Sequence, residues 1–208
     1  MTKPTITLHG LKLSGHSHRV ELMLNMLGLP YHFIETTSES RATPDFRALN
    51  PLGQIPVLED GDLVVADSNA ILTYLAKRYA PNSHWLPQAP EAAAQVQRWL
   101  SIAAGELRFG PATVRILWLF RSPNDRAPAI AIANRLLPFV EQHLATRKFL
   151  AAEHPTIADL ACYSYTKVAP ESGDLSLEPY PALRAWHARV EALPHFVPMP
   201  VSREPLPA

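Results

Sequence analysis

Three short polar segments in the N-terminal part of the chain contain the side chains that could carry chemistry. The first, residues 13–20, reads Leu-Ser-Gly-His-Ser-His-Arg-Val and leads into a predicted helix. The start of a helix presents free N–H groups and a partial positive charge, and these can stabilise a thiolate. A hydroxyl that donates a hydrogen bond has the same effect, so Ser14 and Ser17 are candidate donors. The alternative is that both serines only cap the helix.

The second segment, residues 50–61, reads Asn-Pro-Leu-Gly-Gln-Ile-Pro-Val-Leu-Glu-Asp-Gly. Pro56 directly precedes a predicted strand and cannot donate to a sheet ladder, so it marks an edge, a strand start or a cis turn. If the peptide bond before Pro56 is cis, the backbone of Ile55 faces outward and can pair with a peptide-like ligand. The alternative is an ordinary turn.

The third segment is the pair Asp67-Ser68 at the start of another predicted helix. The hydroxyl and N–H of Ser68 can hold a carboxylate, and Asp67 can accept a hydrogen bond from an ammonium group. The alternative is a plain helix cap, with Ser68 as the N-cap.

Other chemistries find little support in the sequence. His16 and His18 lie two residues apart and point to different faces of a helix, and no HExxH or Cys–His cluster is present, so no metal is expected. The lone Cys162 excludes an internal disulfide framework.

Composition and charge narrow the class of partner. Lys+Arg and Asp+Glu both number 19, so there is no basic excess and a nucleic-acid partner is not expected. No apolar run approaches the roughly 18–20 residues that cross a bilayer, and no signal peptide is recognisable. We expect a soluble cytoplasmic protein.

The elements that must position the three segments alternate between strand and helix over residues 1–80. Strands joined by a helix run parallel and strands joined by a two-residue turn run antiparallel, so a mixed β-α-β, β-β-α sheet is expected. The predicted elements are a strand at Thr5–Leu8, a helix with Val20, Met23, Leu24 and Leu27 on its apolar face, a strand at Tyr31–Glu35, a helical turn at Pro44–Leu49, a hairpin around Asp60-Gly61 and a helix that begins at Ser68.

The remainder of the chain shows only helical periodicity after a proline-rich linker at residues 81–90. Residues 91–208 are therefore predicted to form an all-helical domain. Its predicted elements are a helix carrying Val96, Trp99, Leu100, Ala103 and Leu107 that ends near Pro111, a helix at Ile130–Leu144 that Pro138 kinks or splits, a helix opened by a Thr156/Asp159 capping pair, a helix starting at Pro181 and a proline-rich surface tail from Pro194.

Taken together, these segments resemble the cytosolic glutathione S-transferases, in the family's order and spacing. The match covers the whole chain and resembles the serine-type phi, zeta and theta group. It implies a thioredoxin-like N-terminal domain that binds glutathione, a helical C-terminal domain that holds the second substrate, and a homodimer. The segments that carry it are LxLSGHSHRVELMLNMLGLPY, NPLGQIPVLEDG, ADSNAILTYLAKRY, PTIADLACY and YPALRAWHARVEALP.

The resemblance assigns roles to residues that match the family's motifs. Pro56 looks like the family's cis-proline, with the Ile55 backbone pairing to the cysteinyl part of glutathione. Asp67 and Ser68 match the acidic–serine pair that holds the γ-glutamyl end. Gln54 matches a position that commonly reaches the glycyl end.

Two further roles follow from the same resemblance. Arg41 is positioned where a basic residue sometimes assists glutathione binding. Ser14 falls where serine-type members keep the hydroxyl that stabilises the glutathione thiolate, with Ser17 as the alternative and His16 as a possible helper. Gly15 and His16 depart from the SSCSWRV pattern of the zeta class, which does not favour a zeta-type isomerase.

The implied reaction is the attack of a glutathione thiolate on a hydrophobic electrophile. A free thiol has a pKa of about 8.5, and lowering it by about two units stabilises the thiolate by roughly 3 kcal/mol. Apolar residues near Leu107 to Val114 are expected to line the second-substrate site. The alternatives are a glutathione-dependent isomerase, dehalogenase or peroxidase, or a non-catalytic member that binds glutathione or protein partners.

Overall fold

The computed structural model describes residues 6–206, so Thr5, predicted to begin the first strand, lies outside the described residues. A four-stranded mixed sheet in the order β2-β1-β3-β4 forms the N-terminal half, with β1 parallel to β2 and the other pairs antiparallel. This is the predicted mixed sheet. Its strands are β1 (Ile6–Gly10), β2 (Tyr31–Glu35), β3 (Val57–Asp60) and β4 (Leu63–Ala66).

Helices, joined by loops, make up the other regular elements of the described chain. Within residues 6–206, none of them combines the length and apolar character needed to cross a membrane. They are α1 (Gly15–Met26), α2 (Ser38–Ala42), α3 (Pro44–Leu49), α4 (Ser68–Tyr79), α5 (Pro90–Ala104), a π-helical turn (Arg108–Ala112), α6 (Thr113–Leu119), α7 (Ala127–Leu144), α8 (Ile157–Lys167), a 3-10 turn (Ala169–Ser172) and α9 (Pro181–Glu191).

Helix α1 joins the two halves of the molecule. It packs against α4 on one side and against α8 on the other. Its predicted apolar face is buried at Val20, Met23 and Leu24, whereas Leu27 is only partly buried. The N-terminus of α1 is therefore held rigidly at the boundary between the sheet and the helical domain.

The hairpin turn lies one residue later than predicted. Asp60 pairs with Leu63, so the two loop residues are Gly61 and Asp62 rather than Asp60 and Gly61. Gly61 has φ +60°, a conformation that glycine adopts without a steric penalty.

One prediction about helix ends in the second half is wrong. The predicted helix does not run to a stop near Pro111: α5 already ends at Ala104, before the non-helical Gly105 (φ −96°, ψ −103°), and the π-helical turn, with a second break at Gly110 (φ −95°, ψ −105°), leads on into α6. Helix α7 is continuous through Pro138, so of the two effects predicted for this proline the split is absent. Asn134, whose carbonyl loses its partner, is exposed on α7, where water can satisfy that carbonyl, while Leu136 on the opposite face is buried in the core.

The tail from Pro194 lies across the surface and is anchored at several points. Met199 is buried, the Val197 carbonyl accepts a hydrogen bond from His18 Nε2 at 2.9 Å, and Leu206 N donates to Leu119 O at 2.8 Å. The tail thus fastens α1 to the helical domain from outside.

Candidate active site

A cleft of about 670 Å³ lies between the sheet domain and the helical domain. It brings together every site residue predicted from the sequence except Ser17. The predicted residues on its wall are Ser14, His16, Arg41, Gln54, Ile55, Pro56, Asp67 and Ser68.

Ser14 is the N-cap of α1 and lies on the cleft wall. Its N–H donates to Leu11 O at 2.9 Å, which fixes the loop. Its Oγ accepts from Ser17 N at 3.4 Å, a long contact that leaves the hydroxyl proton available to a ligand. The hydroxyl and the positive end of α1 therefore act at the same place.

Ser17 has a different environment. It is fully buried, its Oγ accepts from Leu11 N at 3.2 Å, and it lies against Gly10 so closely that a Cβ there would come within 2.7 Å of Ser17 Oγ. Its hydroxyl supports the loop that carries Ser14 and does not line the cleft.

The N-terminus of α4 forms a second binding corner. Asp67 (φ +74°) is its N-cap, with a carboxylate that accepts from Asn69 N at 2.9 Å and Ala70 N at 3.0 Å. The prediction that Ser68 caps this helix is therefore wrong, because the aspartate adopts the capping conformation one residue earlier. Ser68 is the first helical residue, and its N–H has no acceptor within the helix.

A buried arginine lies behind this corner. Arg19 has no exposed surface, and its Nη1 donates to Ser68 Oγ at 3.3 Å and to Asn69 Oδ1 at 3.0 Å. Its Nε and Nη2 have no hydrogen-bond partner within residues 6–206. Sequence analysis missed Arg19, although an arginine four residues before Met23, on the apolar face of a predicted helix, was a usable signal.

His16 lies between these two corners. Its Nδ1 is 3.3 Å from Ser68 Oγ, and its ring makes an edge contact with Tyr165 at 5.0 Å between centroids. Burial, followed by the charges of Arg19 and Arg108, lowers the pKa of His16 well below 6.5. A lowered pKa favours the neutral imidazole at pH 7 and so does not favour the cationic helper role considered from the sequence.

The loop before β3 presents backbone to the cleft. The Ile55–Pro56 peptide bond is cis, as the resemblance implies. Asn50, buried and missed by sequence analysis, organises the loop: its Nδ2 donates to Gln54 O at 2.9 Å and its Oδ1 accepts from Leu52 N at 3.1 Å. The loop is thus held in place by internal contacts.

Arg41 is half-buried and also lines the cleft. Its Nε donates to Thr37 O at 3.3 Å, across the short helix α2. The rest of its guanidinium makes no hydrogen bond within the described part of the chain.

The helical domain supplies the apolar wall. Within the stretch expected to line the second site, Phe109 lines the cleft but Leu107 and Val114 lie in the core. The break at Gly110 changes which faces of the helical path point inward. Further lining comes from Ile116, Leu119, Phe120 and Tyr165.

Two more arginines on the cleft wall come from the helical domain. Arg115 is almost fully buried, donates to Leu13 O at 2.6 Å through Nη1 and forms an ion pair with Glu171. Arg108 is half-buried and donates to Thr113 Oγ1 at 2.9 Å. No group of three or more His, Cys, Asp or Glu side chains in residues 6–206 is placed to hold a metal ion.

A mixed sheet with a cis-proline loop, followed by a helical domain across a cleft, defines a two-domain protein with a thioredoxin-like first domain. Comparison with known families agrees with this class. The family model described as glutathione S-transferase, N-terminal domain, matches residues 8–83, and the model described as glutathione S-transferase, C-terminal domain, matches residues 123–194.

Individual relatives span nearly the whole chain. Glutathione S-transferase 3 of Zea mays is 32% identical over 204 residues, which is 92% of this chain and 91% of the relative. A glutathione S-transferase structure from Pseudomonas fluorescens Pf-5 aligns with a TM-score of 0.87 and 34% identity, covering 93% of this chain and 98% of that one.

A theta class glutathione S-transferase from Xanthomonas axonopodis pv. citri, solved with glutathione bound, aligns with a TM-score of 0.78 and 30% identity. The alignment covers 92% of this chain and 95% of that one. The chain belongs to the glutathione S-transferase family.

Proposed function

We propose that this enzyme transfers glutathione to a hydrophobic electrophile and that Ser14 activates the glutathione thiol. The observation that carries the proposal is the position of the Ser14 hydroxyl at the start of α1, on the same wall as the Ile55 backbone and the N-terminus of α4. These three groups suit, respectively, a thiol, a peptide backbone and a carboxylate.

In the proposed complex, glutathione lies along the sheet-domain side of the cleft. Its γ-glutamyl carboxylate binds the Ser68 hydroxyl and N–H, and its ammonium group binds Asp67. The free N–H of Ser68, at the start of α4, and the buried charge of Arg19 behind Ser68 favour an anionic group at this position, which supports the carboxylate assignment.

The remaining parts of glutathione follow from this orientation. The cysteinyl N–H and C=O pair with the backbone of Ile55 before the cis Pro56. The glycyl carboxylate extends toward Gln54 and Arg41, and the guanidinium of Arg41 supplies the charge partner.

The proposed reaction begins with ionisation of the bound thiol. Ser14 Oγ donates a hydrogen bond to the thiolate, and the N-terminus of α1 adds a favourable field. A hydrogen bond to a charged group is worth about 1.5–3 kcal/mol, which corresponds to a fall of about one to two units in the thiol pKa. The thiolate then attacks a carbon of an electrophile held against Phe109, Ile116 and Phe120.

From the family relationship we also propose that the protein is a homodimer located in the cytoplasm. The chemistry derived above requires only the residues of one chain. Size-exclusion chromatography with light scattering tests the dimer directly.

The test of the mechanism compares Ser14→Ala with Ser17→Ala as the matched control, because both serines lie at the start of α1 and only one lines the cleft. An ultraviolet titration with excess protein measures the pKa of bound glutathione. We expect Ser14→Ala to raise that pKa by about one to two units and to lower turnover near neutral pH about tenfold or more.

Ser17→Ala removes the buried acceptor for Leu11 N and should lower stability while retaining the depressed thiol pKa. An unchanged thiol pKa in Ser14→Ala would contradict the role of that hydroxyl. If glutathione does not bind the wild-type protein, the transferase proposal itself is wrong.

A further inference from the structure

The charged side chains of the cleft are unbalanced. The whole chain has a formal net charge of zero, yet three arginines, Arg41, Arg108 and Arg115, face a single aspartate, Asp67, on the cleft wall. A cleft lined by one sign of charge attracts ligands of the opposite sign. The relevant question is which of these charges the protein or glutathione already neutralises.

All but one of these charged side chains have an oppositely charged partner, either in the protein or in the proposed glutathione complex. Glu171 pairs with Arg115 inside the helical domain. In the proposed complex Asp67 binds the ammonium group of glutathione and Arg41 binds its glycyl carboxylate. The guanidinium of Arg108 is left.

Arg108 is held in place without a counter-ion. Its Nη1 donates to Thr113 Oγ1 at 2.9 Å, and that hydroxyl donates in turn to Arg108 O at 2.8 Å. No carboxylate of residues 6–206 lies within 4.0 Å of its guanidinium nitrogens. Its Nε and Nη2 make no hydrogen bond in the same part of the chain, so two nitrogens remain for a bidentate ligand.

The surroundings of Arg108 are those of the second substrate rather than of glutathione. It follows Leu107 directly in the helical domain and shares the cleft wall with Phe109, Ile116 and Phe120. Its charge also helps to lower the pKa of His16, which lines the same cleft. An apolar molecule bound there would cover the cation and leave its free N–H groups without partners, which is unfavourable.

We propose that the electrophile of this enzyme is an amphiphile that carries a carboxylate, and that Arg108 binds this carboxylate while the apolar wall holds the rest. The inference rests on the transferase function proposed above. Guanidinium and carboxylate match in bidentate geometry, and the neighbouring aromatic side chains suit an aryl or alkenyl body. Arg108 then determines specificity.

The test uses two electrophiles that differ in charge, 4-chloro-3-nitrobenzoate and 4-chloro-3-nitrobenzamide. In both reactions a C–S bond forms at the carbon that bears chlorine, the C–Cl bond breaks, chloride leaves with the electron pair, and the thiol proton passes to solvent. The carboxylate or amide is unchanged. The uncatalysed rates with glutathione correct for the different reactivities of the two compounds.

The variants are Arg108→Gln, which removes the charge, Arg108→Lys, which keeps it without the planar fork, and Arg135→Gln as control. Arg135 is exposed on α7 and outside the cleft, so the control makes the same change in net charge. We expect Arg108→Gln to lower the benzoate-to-benzamide ratio of kcat/KM at least tenfold, mainly through KM for the benzoate. Arg108→Lys should fall between, and Arg135→Gln should keep the wild-type ratio.

Two results would overturn the inference. If Arg108→Gln lowers kcat/KM equally for both compounds and raises the pKa of bound glutathione, Arg108 serves the thiolate instead. The second result comes from calorimetry of product binding, which needs no turnover. The inference predicts that the wild-type protein binds S-(4-carboxy-2-nitrophenyl)glutathione at least tenfold more tightly than the corresponding carboxamide. Equal affinities alongside normal glutathione binding would refute the inference and leave the transferase proposal standing, whereas absence of glutathione binding would refute both.

Discussion

The most quantitative prediction concerns Asp159, a carboxylate with no exposed surface at the start of α8. It accepts hydrogen bonds from Thr156 N at 2.8 Å, Leu150 N at 3.0 Å and Trp186 Nε1 at 2.9 Å. One side chain thus ties the first turn of α8 to the preceding loop and to α9. It should be among the most sensitive positions of the helical domain.

The size of the effect follows from the three donors. Asp159→Ala leaves three buried N–H groups without an acceptor, each at about 1–3 kcal/mol, and water entering the space reduces the total. We expect a loss of about 4 kcal/mol in the free energy of unfolding, from a total of roughly 5–15 kcal/mol. Asp159→Asn keeps one oxygen as acceptor for Leu150 N and Trp186 Nε1 but turns an amide N–H₂ toward Thr156 N. We therefore expect this variant to lose about 2 kcal/mol in the free energy of unfolding.

The measurement is urea unfolding followed by tryptophan fluorescence, with the shift in midpoint read at constant slope. Asp62→Ala is the control, because Asp62 lies exposed in the hairpin turn, and it should change stability by less than about 0.5 kcal/mol. A loss below about 1 kcal/mol in Asp159→Ala would show that the carboxylate is not the structural hub described here.

Two further predictions concern buried ionisable side chains. Burial lowers the pKa of His18 from 6.5 to about 4, so as pH falls the unfolded chain takes up this proton before the folded protein does. The contribution of the neutral His18 to the free energy of unfolding is therefore complete above pH 6.5, and about 3 kcal/mol of it is lost as pH falls toward 4. His16 and His187 also have lowered pKa values and contribute to the same slope, so His18→Gln should make the dependence of unfolding free energy on pH less steep by up to about 1.4 kcal/mol per pH unit over that range, and an unchanged slope would refute the assignment. Arg115→Met should destabilise by about 3–5 kcal/mol because it leaves Glu171 buried and unpaired, while Arg115→Met combined with Glu171→Leu should recover much of the loss by the same urea assay. A double variant no more stable than the single one would contradict that reasoning.

Local rules explain the parts of the fold that the sequence predicted well. The strand at Tyr31–Glu35 has the predicted bounds, and the capping pair of Thr156 and Asp159 is present at the start of α8. Such features depend on residues a few positions apart, so they are legible without long-range contacts. The Asp60-Gly61 signal likewise located the hairpin, with an error of one residue in its loop.

Sequence patterns were ambiguous where the outcome depended on backbone conformation or on the orientation of a helix in the fold. Asp67 and Ser68 are both good cap residues, and only the backbone angle of Asp67 decides that it caps α4. Pro138 is tolerated inside α7 because Asn134, whose carbonyl it leaves without a donor, is exposed to water. That exposure depends on the orientation of the helix in the fold. Sequence spacing alone contains neither fact.

The sequence by itself determined the mixed sheet, the principal helices of both halves and the family, because periodicity, caps and motifs in order are local properties. Only the tertiary structure decided which groups share the cleft. It placed Ser14 on the wall and Ser17 in the core, turned Leu107 inward beside an exposed Phe109, and put Arg108 and His16, far apart in the sequence, on the wall of one cleft. Burial and proximity are set by how the helices pack, and the ionisation of His16 follows from that packing.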